Sequence, residues 1–282
     1  MLGLANNNLS NMPQMGKPAW LAVPNPQCCS LDGTGDYVNC GDISGTLDGG
    51  DAFTFGIWLK CDGNTGDVAN SMFISHNGVA GVDDVRMAIL ANNDTSTIEI
   101  QFNTSGWILY APNVVDQVTR GQVIGYSFRT GSDKANQWFP VIFGWDKDLD
   151  SGHCKVYIGD RWQISYYGDS ARVSTDSMET MSGNTAEKSL YIGASYALGS
   201  ILSEEKIDCR DVAVWDRKLT DNEMEQFCMG YSPADIVGTG NRPRHHWKLA
   251  GTGETEDRGA GTDSDATLVG NATITASAVD AT

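Results

Sequence analysis

The sequence predicts an all-β protein that folds as an antiparallel sandwich of two sheets. Short runs of alternating apolar and polar residues recur from residue 28 onward. Breaks rich in Gly, Asn and Asp separate these runs at short intervals, and the chain contains 32 glycines. Only one segment carries the cap residues of a helix. Regular short strands between turn signals are typical of sandwiches, and 282 residues suit a single sandwich domain.

The clearest strand is "DAFTFGIWLKC" at residues 51–61, where Phe53, Phe55, Ile57 and Leu59 alternate onto one face. Similar runs predict about ten antiparallel strands before the helix and two more after it. They include "SMFISHNG", "DVRMAILAN", "STIEIQFNTSG", "QVIGYSFRTG", "QWFPVIFGWD", "HCKVYIGDRWQIS", "SLYIGASY", "IDCRDVAVWD" and "RHHWKLAG", with a last short strand in "ATLVGNATI".

One short helix is predicted in "LTDNEMEQFCMG". Thr220 is its N-cap, and Glu223 three residues later completes a capping box. Met224, Phe227 and Cys228 form an apolar face, and the helix ends at Gly230. We expect this helix to cover one edge of the sheets.

The chain divides into an arm, residues 1–27, and one domain, residues 28–282. The arm is rich in Asn, Met, Gly and Pro and has no sustained periodicity. Such a segment cannot bury enough apolar surface to offset its ordering entropy, so it needs the domain or a partner to order it. We expect an extended arm that docks to partner subunits.

Charge excludes two classes of partner. Asp and Glu number 36 against 19 Lys and Arg, which leaves a formal charge of −17. An acidic surface repels phosphate backbones and anionic headgroups, so we expect no nucleic-acid binding. No apolar run is long enough to span a membrane, which argues against insertion.

The N-terminus lacks a signal-peptide pattern, so we expect no Sec export and reduced, buried thiols. The seven cysteines form no C-x-x-C pair; they are Cys28, Cys29, Cys40, Cys61, Cys154, Cys209 and Cys228.

Five segments in order resemble the concanavalin A-like jelly roll of the laminin-G type. They are "SLDGTGDYVNCG", "FTFGIWLKCDG", "CKVYIGDRW", "LYIGAS" and "KIDCRDVAVWDRKLTDNEMEQFCMG". The corner from Asp211 to Met224 is the most specific match. The ends, "MLGLANNNLS" and "HHWKLAGTGETEDRGAGTDSDATLVGNATI", look like those of laminin-G-like proteins of marine tailed bacteriophages. Ala250 and "DAT" at 265–267 depart from the pattern of that second end.

The resemblance implies a virion structural protein that is not an enzyme. Its jelly roll would be displayed on the particle as a head decoration, a knob or a tail or fibre component. The arm would bind other virion proteins, the protein would form homo-oligomers, and host surface glycans are a further expected ligand. The alternative is a calcium-dependent lectin or adhesin, and the two interpretations are compatible.

A glycoside hydrolase is a third interpretation, and catalytic motifs do not favour it. Glycanases of this fold carry E-x-D-x-x-E on one strand, so that alternate side chains enter the cleft together. That spacing is absent here, and so is a G-x-S-x-G nucleophile elbow. No catalytic residue is assigned, and no cofactor is required.

Calcium is the one metal for which the sequence offers ligands. The spacing of Asp146, Asp148 and Asp150 is that of a D-x-D-x-D calcium loop, but Gly152 comes one place late and Tyr157 holds the twelfth position. A solvated acidic turn is therefore the competing interpretation. The remaining loop candidates are Asp36, Asp83 and Asp84.

Aromatic side chains are the candidates for glycan stacking. Sugar-binding jelly rolls stack rings on pyranose faces, although rings in sheets also serve as core or cross-strand partners. The candidates are Trp107, Tyr110, Trp138 and Trp162. His245 and His246 adjoin in a strand and point to opposite faces, so we interpret them as structural rather than as metal ligands.

Overall fold

The computed structural model describes residues 27–61, 71–77, 85–92, 97–104, 107–111, 137–148, 154–158, 188–197, 200–202, 206–236, 242–251, 254–261 and 264–276. Residues 1–26 of the predicted arm lie outside the described residues, and its last residue, Gln27, begins the first strand. The elements in chain order are β1 (Gln27–Asp32), β2 (Tyr37–Asp42), α1 (Ser44–Leu47), β3 (Ala52–Cys61), β4 (Ser71–Asn77), β5 (Val85–Asn92), β6 (Thr97–Thr104), β7 (Trp107–Ala111), β8 (Phe139–Asp146), β9 (Cys154–Ile158), β10 (Ser189–Ile192), β11 (Ser195–Ala197), β12 (Ser200–Leu202), β13 (Lys206–Trp215), α2 (Asp221–Cys228), a 3-10 turn (Pro233–Asp235), β14 (His245–Trp247), β15 (Thr267–Val269) and β16 (Thr273–Ala276).

Two antiparallel sheets form the body, which confirms the predicted all-β sandwich. The first sheet has the order β16-β1-β13-β3-β8-β9, with β14 also paired to β13. The second sheet has the order β15-β2-β10-β4-β5-β6-β7, and β11 pairs with β12. The described residues hold sixteen strands rather than about twelve, and α1 is a short helical turn that the periodicity does not reveal.

The core lies between the two sheets. Phe53, Phe55, Ile57 and Leu59 of β3 are buried there, as their alternation predicts. Residues of the second sheet face them, among them Val38 and Ile192. The same core receives apolar side chains from β1, β8 and β13, including Cys29, Leu31, Phe139, Val141, Phe143, Trp145, Ile207 and Cys209.

Helix α2 covers the outer face of the first sheet, so the expectation that it covers an edge of the sheets is wrong. Thr220 accepts a bond from the Glu223 N–H and the Glu223 side chain bonds back to the Thr220 N–H, so the predicted capping box is confirmed. Met224 and Phe227 are fully buried beneath the helix. They pack with outer-face residues of β3, β8, β9 and β13, namely Trp58, Ile142, Tyr157, Ala213 and Trp215.

The chain crosses between the sheets at two tight turns, where the sequence indicates single strands. The run "SLDGTGDYVNCG" is read from the sequence as the first strand with its leading turn, but it holds the end of β1 and most of β2, which lie in different sheets. Likewise "ATLVGNATI" holds both β15 and β16, one in each sheet. Gly33 at φ 79° and Gly270 at φ 72° permit these reversals. Alternation is the same in both sheets, so it cannot reveal the change of sheet.

Five cysteines have described side chains, and all five are free and buried: Cys28, Cys29, Cys40, Cys209 and Cys228. Cys61 ends β3 and Cys154 begins β9. Among the described residues, no helix is long and apolar enough to cross a membrane.

Candidate functional site

A groove of about 740 Å³ opens at the end of the sandwich where β2 and β13 finish. Trp215, the last residue of β13, pairs with Thr54 near the start of β3, which locates this end of the first sheet. Three separate chain segments line the groove: residues 41–46, Asp216, and parts of 244–264. Their lining residues are Gly41, Asp42, Ile43, Ser44, Gly45, Thr46, Asp216, Arg244, His245, Gly261 and Ser264.

The first wall is the turn that follows β2. Asp42 ends the strand, and its Oδ1 accepts a hydrogen bond from the Ser44 N–H at 2.9 Å. This local bond lies at the start of the short turn α1. Asp side chains commonly accept such a bond from the backbone two residues further on. The turn is closed by the Asp48 N–H, which donates to the Ser44 carbonyl at 2.7 Å. Two hydroxyls, those of Ser44 and Thr46, therefore lie along the groove.

A chain of hydrogen bonds runs from the groove into the protein. His245 Nε2 lies 2.9 Å from Thr46 Oγ1, and His245 Nδ1 lies 2.6 Å from Asp257 Oδ2. The histidine and aspartate side chains are each only 2% exposed. Asp257 Oδ1 also accepts from the N–H groups of His246 and Gly259, at 2.8 and 2.9 Å. The imidazole stacks on Trp247, with ring centroids 5.4 Å apart.

The charge on Asp257 determines where the protons lie in the Thr46–His245–Asp257 hydrogen bonds. Burial raises the pKa of the Asp257 carboxyl, but the bonds from His245 and from two backbone N–H groups outweigh it and hold the pKa below its ordinary value. In a neutral His245, an ionised Asp257 places the single ring proton on Nδ1. Nε2 is then the acceptor, and the Thr46 hydroxyl donates to it. The orientation of Thr46 is therefore set by a buried carboxylate.

The second wall of the groove is formed by residues near Arg244 and Ser264, and glycines let these segments pack closely on their neighbours. A Cβ on Gly259 would collide with the Arg244 carbonyl, and one on Gly41 would collide with Ser264 Oγ. Ser264 Oγ donates to the Cys40 carbonyl at 2.8 Å. These close contacts place Gly259 against Arg244, just before β14, and Ser264 against the end of β2.

An exposed ion pair forms the rim. Arg244 Nε donates to Asp216 Oδ2 at 2.6 Å, and the two side chains are 46% and 38% exposed. The Arg244 N–H donates to the Val214 carbonyl, which ties the rim to β13. The groove therefore offers a guanidinium, two carboxylates and three hydroxyls within one concave surface.

Asp36, the first calcium candidate, bridges two turns. Its carboxylate is 1% exposed, and it accepts from the Asp32 N–H at 3.0 Å and from the Asn271 N–H at 2.5 Å. The carboxylate thus joins the β1–β2 turn to the β15–β16 turn. Its binding of calcium stays a prediction.

The acidic turn after β8 lies at the other end of the first sheet. Asp146 pairs with Ala52 at the start of β3, whereas Asp36 follows β1, whose Asp32 pairs with Lys206 near the far end of β3. The ten residues of β3 span about 33 Å, so Asp36 and Asp146 cannot share one ion. Asp146 Oδ1 accepts from the N–H of exposed Asp148.

The other calcium candidates, Asp83, Asp84 and Asp150, lie outside the described residues. Within those residues, no group of three or more His, Cys, Asp or Glu side chains could hold a metal ion.

The aromatic candidates are spread over both sheets. Trp107 and Tyr110 belong to β7 at the edge of the second sheet, three positions apart and therefore of opposite parity in the strand. Trp138 precedes β8 in the first sheet, is half-buried, and packs against the apolar cluster under α2. Trp162 lies outside the described residues. Glycan binding by these residues stays a prediction.

His245 and His246 have separate partners, as their alternation predicts. His246 Nε2 lies 3.6 Å from Asp211 Oδ1, on the other side of β14 from the Thr46–His245–Asp257 chain. Sequence reasoning did not find the groove. Its charged rim residues, Asp216 and Arg244, are 28 positions apart. Asp216 lies within the Asp211–Met224 corner, but the resemblance marks neither residue as a ligand.

No family model and no curated protein matches this chain. Among solved structures, it is similar to that of a candidate carbohydrate-binding protein of Bacteroides ovatus, with 15% identity and a TM-score of 0.51. That match covers 90% of this chain and 60% of the other, so this chain spans less than two thirds of that protein.

Two further matches have lower TM-scores. A heptameric SAP-like pentraxin of Limulus polyphemus has 12% identity, a TM-score of 0.44, and coverage of 87% and 95% of the two chains. The CBM40 of a Ruminococcus gnavus sialidase, bound to α2,3 sialyllactose, has 14% identity, a TM-score of 0.44, and coverage of 71% and 97%. At such identities similarity concerns the fold alone, which is a jelly-roll-like sandwich of two antiparallel sheets.

Proposed function

We propose that this protein binds glycans and that the groove between α1, Asp216 and Arg244 is the binding site. The observation that carries the proposal is the chemistry of the groove. Sugar hydroxyls both donate and accept hydrogen bonds, and the Asp216–Arg244 pair offers an acceptor beside a donor. A volume of about 740 Å³ lies within the range of small-ligand sites. The description of the Bacteroides ovatus protein as carbohydrate-binding supports the same function.

Charge favours a neutral glycan over an acidic one. Asp42 and Asp216 both line the groove, and the guanidinium of Arg244 is already engaged by Asp216. The formal charge of −17 also opposes the approach of an anion. We therefore expect neutral hexoses with adjacent hydroxyl groups to be the preferred ligands.

A glycan array followed by calorimetry on the best ligand tests this function. Asp216→Asn and Arg244→Gln each remove a charged hydrogen-bonding group, so each should weaken binding about tenfold or more. Asp32→Asn is the matched control, because exposed Asp32 lies at the other end of the sandwich. A blank array, or equal affinity in all three variants, would refute the proposal.

The second candidate function is ester hydrolysis, favoured by the Thr46–His245–Asp257 chain. A hydroxyl, an imidazole that accepts its proton and a carboxylate that orients the imidazole are the parts of a nucleophilic triad. Thr46 Oγ1 would attack an ester carbonyl and pass its proton to His245 Nε2. The alcohol would leave with that proton, and water would then release the acid from Thr46.

Our main proposal has no catalytic step, so p-nitrophenyl acetate should be turned over no faster than by heat-denatured protein. Turnover that persists in Thr46→Ser and disappears in Thr46→Ala would show that the protein is a hydrolase, and would contradict the proposal of binding without catalysis. Glycoside hydrolysis is tested separately with a reducing-sugar assay on common polysaccharides.

We further propose, as the sequence suggests, that glycan binding depends on calcium. The array repeated with EDTA is the direct measurement, and loss of signal is the expected result. An unchanged signal would leave a glycan-binding function that needs no metal.

The virion role is also a proposal, and it rests on the two ends of the sequence. In it, the sandwich is displayed as a homo-oligomer on a phage particle, and residues 1–27 attach it to other virion proteins. Deletion of residues 1–26, which leaves β1 intact, should abolish incorporation into particles without changing the circular dichroism spectrum. If the shortened protein is incorporated into particles as before, the arm does not attach the protein to the virion.

A further inference from the structure

Two buried cysteines face each other across neighbouring strands of the first sheet. Cys29 of β1 and Cys209 of β13 are direct antiparallel partners. Both side chains are 0% exposed and belong to the core between the sheets. Register and burial on the same face of the sheet therefore place the two cysteine side chains next to each other.

The spacing of such partners fits a disulfide. Directly opposed residues of an antiparallel pair have Cα atoms about 4.5 or 5.5 Å apart, according to their place in the ladder. Both values fall within the range of about 4.4–6.8 Å that disulfides span. We propose that Cys29 and Cys209 form a disulfide when the chain folds in the presence of a disulfide oxidant such as oxidised glutathione.

The fold separates this pair from the other three cysteines whose side chains the structure describes. Cys28 is the neighbour of Cys29 in β1 and is not part of the core between the sheets, and Cys228 lies on α2 over the outer face. Cys40 shares the core but belongs to the second sheet. Facing sheets pack about 10 Å apart, which is beyond the reach of a disulfide without movement of the backbone. Cys29 should thus select Cys209.

The reaction balances with oxidised glutathione as the oxidant. A thiolate of one cysteine attacks glutathione disulfide, forms a mixed disulfide and releases one glutathione thiolate. The second cysteine, as its thiolate, attacks the protein sulfur of the mixed disulfide and releases the second glutathione. Two protein thiols lose two protons and two electrons, and one glutathione disulfide becomes two glutathione thiols.

Burial decides when this reaction happens. The interaction with Cys29, together with burial, raises the pKa of the Cys209 thiol well above its ordinary value. A buried thiol of high pKa reacts slowly because the thiolate is the attacking species. The bond should therefore form during folding, before β16 and the second sheet cover β1, and should form slowly in the native protein.

The experiment is refolding of the denatured, reduced full chain in a glutathione redox buffer. Free thiols are then blocked with iodoacetamide, and disulfide-linked peptides are mapped by mass spectrometry without reduction. We expect a peptide pair that joins Cys29 to Cys209. We also expect its thermal unfolding midpoint to lie above that of the same protein treated with dithiothreitol, because the link restricts the unfolded chain.

Two variants supply the controls. In Cys40→Ser the link and the shift in midpoint should remain, and in Cys29→Ser both should disappear. If Cys29→Ser does not fold, the peptide map of the unsubstituted protein still decides the matter. A folded protein in which Cys29 and Cys209 are both alkylated, or are joined to other cysteines, would overturn the proposal.

Discussion

At the scale of single residues, two glycines determine how closely α2 approaches the first sheet. Gly56 of β3 lies beneath the ring of Phe227, where a Cβ would come 2.9 Å from Phe227 Cζ. Gly144 of β8 lies beneath the end of Met224. Both positions fall on the outer face of strands whose other face builds the core.

Gly56→Ala should destabilise the fold by about 1–3 kcal/mol, because a rigid buried ring cannot move away from the added methyl group. Gly144→Ala is the matched substitution, and it should cost less because the terminal methyl of Met224 can rotate. Urea unfolding of the two variants measures the difference. Equal losses would contradict this account of the packing.

Asp36 is a second residue whose role depends on distant neighbours. Asp36→Asn replaces one of two accepting oxygens with an amide nitrogen, so one of the bonds to Asp32 and Asn271 is lost. We expect a loss of about 1–3 kcal/mol in the free energy of unfolding.

Asp32→Asn is the control, since exposed Asp32 accepts only a local bond from the Thr34 N–H in the described residues. Urea unfolding with and without EDTA separates a structural carboxylate from a calcium ligand. Stability that falls with EDTA in the unsubstituted protein but not in Asp36→Asn would favour the calcium ligand.

At the scale of elements, α2 is stabilised by an ion pair at its first turn. Arg217 donates to both oxygens of Glu223 at 2.6 and 2.9 Å, and Glu223 also completes the capping box. The bonds from Arg217, aided by those from Thr220, lower the pKa of Glu223 from 4.5 to about 2. A negative side chain here also suits the positive end of the helix dipole.

This pKa predicts a pH dependence of stability. A pKa lowered by folding stabilises the protein above pH 4.5, and that contribution is lost as the pH falls from 4.5 toward 2. The loss should reach about 3 kcal/mol. Urea unfolding at several pH values measures it, with Glu223→Gln for comparison. In that variant the slope between pH 4.5 and 2 should be smaller; an identical slope would exclude Glu223 as its source.

At the scale of the whole molecule, the C-terminal strands close both sheets. β16 pairs with β1 in the first sheet, and β15 pairs with β2 in the second. Leu268, Ala272 and Ile274 pack against the shared core. Without this segment, β1 and β2 would become edge strands with unpaired backbone groups.

Removal of residues 266–282 should therefore lower the thermal midpoint and promote self-association, because unpaired edges recruit other strands. Removal of 277–282 alone leaves both strands intact and is the matched control. Thermal unfolding and size-exclusion chromatography provide the measurements. A shorter chain with the same oligomeric state and stability as the 277–282 control would show that the closing strands are dispensable.

The elements with local signals could be predicted, and the groove could not. Thr220 and Glu223 are three positions apart, so the capping box is visible in the sequence. Thr46, His245 and Asp257 are brought together only by the pairing of distant strands. The predicted aromatic platform illustrates the same limit, since Trp107 and Trp138 belong to different sheets.

The sequence by itself determined the all-β class, the core-facing alternation of β3 and the capped helix α2. Each depends on residues a few positions apart, where the periods of strand and helix and the geometry of caps apply directly. Tertiary structure alone decided where the chain changes sheets, what Asp36 joins, which cysteine faces Cys29, and that a polar groove exists. The physical reason is that strand pairing aligns residues far apart in the chain, and local periodicity carries no information about which strands become neighbours.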